Sequence, residues 1–183
     1  MSNKFLLLLS FALLLVVTAC VEDEDPIIEN EEELITSVTL TLFPNGPQET
    51  VTFGFSDPDG DGGAAPSFST TGTLQANASY RGMVSFGSPE GSIDAEILAE
   101  GEEHQIFYQV SSGLDMTVTY NDVDAQNQPL GLNVNVTTGV AGTGSLTVTL
   151  LHEPNKAAGA TIGNPAPAGG STDAEVTFPV SIQ

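Results

Sequence analysis

The sequence predicts an all-β chain: an immunoglobulin-like antiparallel β-sandwich of about nine strands, with an up-and-down β-barrel as the alternative. Three observations predict it. From Leu34 onward, apolar residues alternate with threonine, serine or asparagine at period two, the pattern of half-buried antiparallel strands. Clusters of glycine, proline and asparagine interrupt that pattern at the spacing of strand connections. Helical periodicity is almost absent. The region from Leu34 to Gln183 is long enough for one domain with a substantial core.

The strands can be taken in order. Val38, Leu40 and Leu42 share one face of the first, with Thr39 and Thr41 on the other. Pro44-Asn45-Gly46-Pro47 then reverses the chain, and Val51, Phe53 and Phe55 form the inner face of the second strand. FSTTGTL is a weaker third. YRGMVSF and HQIFYQV are strands with less regular faces, and SIDAEILAE between them predicts a helical turn or two inside a loop. After a turn at Ser112-Gly113, Met116, Val118 and Tyr120 face one way. Leu132, Val134 and Val136 oppose Asn133 and Asn135, and the glycines of GVAGTG lead into Leu146, Val148 and Leu150. The last strand presents Val176, Phe178, Val180 and Ile182. Pro179 has no N–H to give a ladder, which predicts an edge strand.

If these strands alternate in direction, their connections fall at two ends. The turns at 44–49, 75–79, 112–114 and 139–144 share one end. The segment before Leu34 and the loops 57–66, 88–103, 122–129 and 153–173 share the other. That second end holds every acidic residue except Glu49, Asp115 and Glu175, with His104, Tyr120 and His152 at its rim. A single extra strand inside 88–102 would reverse the parity and split the two aspartate loops between the ends.

The N-terminus reads differently. Lys4 precedes an apolar run, Phe5 to Val17, that is too short to span a bilayer and reads as an export signal over residues 1–19. Val17-Thr18-Ala19-Cys20 resembles the lipobox of bacterial lipoproteins. The resemblance implies cleavage after Ala19 and a diacylglyceryl group on the Cys20 sulfur; two or three acyl chains anchor stably where one does not. Cys20 is the only cysteine, so no disulfide forms within the chain, and thioether modification removes an otherwise orphan thiol. Residues 20–33 form an acidic tether without a basic residue; such a run repels itself and stays extended. Glu22-Asp23-Glu24-Asp25 is similar to the signal that directs lipoproteins of Bacteroidota-type bacteria to the outer face of the outer membrane. The expectation is a lipid-anchored outer-membrane protein facing the cell exterior, with a periplasm-facing position as the alternative. Residues 34–183 form the single folded domain.

The segments NEEELITSVTLTL, DPDGDGGAAP, EEHQIFYQV, TYNDVDAQNQPLGL and GTGSLTVTLLHEPNK together resemble a family of small Bacteroidota-type lipoproteins. The likeness covers nearly the whole mature chain. It implies the same export and anchoring and brings no activity with it. A type 1 periplasmic-binding fold, sometimes ascribed to that family, needs alternating strands and helices over two lobes, which this chain lacks.

Charge narrows the partners. Twenty-four acidic residues stand against 3 lysines and arginines, for a net charge of −21. Nucleic acid and anionic headgroups are repelled, and cations are attracted. Catalytic motifs fail on inspection. His152-Glu153 opens like a zinc-protease HExxH, but Lys156 stands where the second histidine belongs and Pro154 breaks the required helix. No GxSxG elbow or P-loop is present. Without tryptophan, only Tyr80, Tyr108 and Tyr120 remain as sugar-stacking surfaces among the larger polar aromatics. His104 and His152 read as strand-end residues rather than ligands. The expectation is a protein that is not an enzyme.

One motif points to a ligand. Asp57, Asp59 and Asp61 occupy positions 1, 3 and 5 of DPDGDGG, with Gly62 at position 6, as in the first half of a calcium loop. Position 12 is Phe68 instead of a bidentate glutamate. Asp122 and Asp124, at the same end by parity, are expected to complete the shell around Ca²⁺. The functional expectation is a non-catalytic, calcium-stabilised binding or adhesion module for a glycan or protein. The alternatives are a structural or accessory lipoprotein without a specific ligand, and a small-ligand carrier if the sheet closes into a barrel.

Overall fold

The alternation read from the sequence becomes hydrogen-bond register in a computed structural model, which describes residues 34–60 and 62–183. The signal segment, Cys20, the acidic tether and Asp61 lie outside the described residues. β1 (Ser37–Pro44) pairs on one side with β2 (Val51–Ser56) and on the other with β4 (Ser79–Ser88). β3 (Ser67–Thr71) extends the sheet beyond β2. β8 (Asn133–Thr138) joins β4, and β7 (Met116–Tyr120) joins β8. The larger sheet therefore runs β3-β2-β1-β4-β8-β7, with the two-residue β5 (Gly91–Ser92) folded back onto β4. The smaller sheet runs β10-β9-β6, from β6 (His104–Val110), β9 (Gly142–His152) and β10 (Ser171–Ile182). Every ladder is antiparallel.

Both sheets keep free edges, so the fold is a sandwich and not a closed barrel. The small-ligand reading depended on closure and loses its premise. Pro179 lies on β10, an edge strand as expected.

The core fills from both inner faces. Val38, Leu40, Leu42, Phe86 and Val134 meet Ile106, Tyr108, Leu146, Val148 and Phe178 across the gap. Fully burying side chains of this size contributes about 1.5–3 kcal/mol each. Gly82 belongs on that inner face of β4, where a Cβ would meet Val134 Cγ2 at 2.7 Å and Leu42 Cδ2 at 3.0 Å. Its missing side chain makes room for theirs. HQIFYQV has irregular faces because β6 is covered on both sides: Phe107 packs with Leu151 and Ala168 in a second cluster, separate from the main core.

Strand directions settle where the loops go. β5 is too short to reverse the chain's parity, and α1 (Asp94–Ala99) follows it directly. Asp94 fastens this helix to β4, its Oδ1 accepting the Phe86 N–H at 2.7 Å and its Oδ2 the Ser85 hydroxyl at 2.6 Å. The connections after β2, β4, β7 and β9 all emerge at the end where the described chain begins, at Leu34.

Candidate functional site

Three groups of polar side chains occupy that loop-bearing end. The first is a clamp centred on Lys156. Its ammonium donates to Asp124 Oδ2 at 2.7 Å, to the Pro129 carbonyl at 3.1 Å and to the Gly101 carbonyl. It thereby ties together three loops. The other Asp124 oxygen accepts the backbone N–H groups of Gln126 at 2.9 Å and Gln128 at 2.8 Å. Desolvation opposes the charge on Asp124, but the bonds from Lys156, Gln128 and Gln126 outweigh it. Its carboxyl is held below the usual 3.8.

Asp122 is equally committed. Oδ1 accepts the Gly131 N–H at 2.7 Å, and Oδ2 accepts the Asn133 N–H at 2.7 Å. Gly131 adopts a φ of +102° and sits so close to β6 that a Cβ would lie 2.7 Å from the Ile106 carbonyl. Only glycine fits there. Its own carbonyl accepts the buried Tyr108 hydroxyl at 2.7 Å.

The second group is the DPDGDGG loop. Asp59 Oδ2 turns back to accept the Ala64 N–H at 2.7 Å. Asp57 Oδ1 is buried and takes no hydrogen bond among the described residues. Asp57 lines a groove with Leu34, Phe55, Thr172, Asp173 and Glu175. The structure does not bring this loop to Asp122 and Asp124. β2 and β7 are separated by β1, β4 and β8, four inter-strand steps or roughly 19 Å along the sheet. The shared calcium shell drawn from Asp57, Asp59, Asp122 and Asp124 is thus not assembled. Parity brought both loops to one end, but strand order placed them far apart on it.

The third group brings into contact His104, His152 and Asp173, which strand parity alone placed at one end. His104 opens β6 and His152 closes β9, directly opposite each other in the ladder. Their imidazoles stack with centroids 4.9 Å apart and planes 10° from parallel. Asp173 comes from the start of β10, where the register shifts between Thr172 and Ala174. That bulge inserts Asp173 as an extra residue, the usual way a strand re-aims one side chain. Asp173 Oδ2 lies 3.9 Å from His104 Nε2, and both side chains are about 95% shielded from solvent, at 4% and 5% exposure. One donor atom from each of His104, His152 and Asp173 falls within 4.8 Å of the others. Glu103 Oε2 lies 3.9 Å from His152 Nε2 and is exposed.

Part of this group was legible. Both histidines of the chain fall at the same rim by strand parity, and that coincidence was the available signal. Asp173 falls in the loop 153–173 assigned to that same end, but period-two alternation does not reveal the bulge that turns it toward them.

The tyrosines do not form a stacking platform. Tyr80 and Tyr108 are buried in the core, and burial raises the Tyr108 phenol well above its ordinary range. The Tyr120 hydroxyl accepts from Gln105 Nε2 at 3.1 Å and donates to the Ile106 carbonyl at 3.0 Å. Desolvation pushes it up to about 12, so it remains a donor at neutral pH. Against known proteins, no family model matches the chain, and neither does a curated protein or a solved structure.

Proposed function

We propose that this chain is a lipid-anchored, non-catalytic binding module of the outer membrane, held toward the cell exterior through lipid on Cys20. The observation that carries the reading is the asymmetry of the sandwich. Its four longest connections leave the end at Leu34, and the opposite end has shorter turns. Loops gathered on a rigid β scaffold are a common recognition surface. The lipobox and the acidic run behind it supply the reason for a tether.

The partner class follows from chemistry. With Tyr80 and Tyr108 buried, a stacking surface for sugars is weakly provided, and exposed carboxylates such as Glu96, Glu100 and Glu102 dominate this end. A protein with a basic face suits it better than a glycan. Nucleic acid is repelled.

Metabolic labelling with a fatty-acid analogue should mark the wild-type chain, while Cys20→Ala should be soluble and unlabelled. Protease added to intact cells should remove the domain, and neutral residues in place of Glu22 to Asp25 should protect it. Arrays of glycans and of basic proteins, probed with the Cys20→Ala chain, should give salt-sensitive binding to proteins. Label that survives Cys20→Ala defeats the anchor, and resistance to external protease defeats the surface location. Arrays without salt-sensitive spots defeat the binding role.

A further inference from the structure

We propose that His104, His152 and Asp173 bind a first-row transition metal of the zinc(II) class, one ligand coming from each strand of the smaller sheet. The ligand chemistry points to that class. Two imidazoles and one carboxylate suit Zn²⁺, whereas Ca²⁺ takes oxygen ligands almost exclusively.

The His104 ring is oriented for it. His104 Nδ1 lies 3.1 Å from the Glu100 carbonyl oxygen. A carbonyl only accepts, so this nitrogen carries a proton, and in the neutral ring Nε2 is the nitrogen that holds the lone pair. A ligating histidine typically donates its other N–H to just such a carbonyl, which sets tautomer and ring orientation. Nε2 then faces Asp173 Oδ2 at 3.9 Å, too far for a hydrogen bond. Donors around a tetrahedral zinc lie roughly 3.3 Å apart at bonds of about 2.0–2.1 Å. From a spread of at most 4.8 Å, each atom needs to move inward by less than about 1 Å, and the two stacked rings must tilt so that both in-plane lone pairs reach the ion.

The surroundings favour a cation. The described chain has only two lysines or arginines: Arg81 lies within β4, and Lys156 is bonded to Asp124 in a different cluster. The groove beside Asp173 is lined by Asp57 and Glu175, and the buried Asp57 Oδ1 accepts no hydrogen bond among the described residues. Glu103, with Oε2 3.9 Å from His152 Nε2 and exposed, adds a further carboxylate at the solvent side. A bound ion would join β6, β9 and β10 at the end of the small sheet where the connection into β6 meets the β9–β10 connection.

The test uses the full lipidated chain in detergent, stripped with a chelator and then titrated with Zn²⁺ or Ca²⁺ by calorimetry and thermal melting. One equivalent of Zn²⁺ should bind and raise the melting midpoint. His104→Gln and Asp173→Asn should each weaken binding by at least about 100-fold, the upper range for losing even an outer-sphere partner. X-ray absorption at the zinc edge of the wild-type complex should show two imidazoles at about 2.0–2.1 Å. That spectrum decides the matter even if a variant fails to fold. The proposal is overturned if no zinc binds, or if Ca²⁺ produces an equal rise. Undiminished zinc affinity in His104→Gln or in Asp173→Asn overturns it too, as does a spectrum lacking imidazole.

Discussion

The Lys156 clamp and the histidine pair lie at the same end of the sandwich, and they are built in opposite ways. At the clamp, each charged group has its hydrogen bonds in place. Lys156 has three acceptors and Asp124 three donors, all within 3.1 Å. In the histidine cluster the potential ligand atoms converge without closing on one another, at 3.9 to 4.8 Å. A tightly bonded cluster holds loops in place; ligand atoms gathered within 4.8 Å leave room for an ion between them. Density of carboxylates therefore does not distinguish a structural site from a binding one. The kind of ligand atom and its spacing do.

The largest expected effect breaks the clamp. Lys156 and Asp124 side chains are 7% and 1% exposed. Replacing Lys156 by Met leaves a shielded carboxylate without its cation, and removing one partner of such a pair costs about 3 kcal/mol or more. Chemical denaturation should show that loss, and Lys156→Met with Asp124→Asn together should recover part of it. Equal stability of wild type and the single variant would mean that the clamp only decorates the loops.

Next comes the metal-dependent gain at the histidine pair. At a hundredfold excess over its dissociation constant, a ligand that binds only the native state adds about 2.7 kcal/mol. His104→Ala should abolish that increment while Lys156→Met retains it. Loss of the increment in both variants would merge the two clusters into one functional unit.

Acid should separate the clusters further. The folded-state carboxyl of Asp124 is depressed below its ordinary 3.8. Its contribution is therefore fully present above that value and is lost as pH falls through the depressed folded value. A stability–pH curve should be shallower across this acidic range for Asp124→Asn than for wild type. An unchanged slope would show that the hydrogen bonds do not favour the ionised form.

The smallest effect belongs to Asp59→Asn. Asp59 is exposed and its one described side-chain bond reaches Ala64 N–H, so stability should stay within the scatter of surface substitutions. Millimolar Ca²⁺ should shift the melting midpoint of wild type and variant alike, or neither. A calcium-dependent rise confined to wild type would restore the DPDGDGG loop as an ion site.

Much of this fold was readable along the chain. Val38, Leu40 and Leu42, or Val176, Phe178 and Val180, report their buried face because each strand's side chains alternate strictly, a local geometric rule. Pro179 marked an edge because its missing N–H is a property of one residue. Parity of directions even placed His104 and His152 at one rim. What tertiary structure alone decided was which strands became neighbours and where the alternation slips. Strand order put Asp57 and Asp122 in the connections after β2 and β7, well-separated strands of the larger sheet. The ladder set His104 opposite His152, and a bulge turned Asp173 toward them. Those outcomes depend on contacts between residues far apart in sequence, whose energies come from packing two whole sheets together. No local period carries that information.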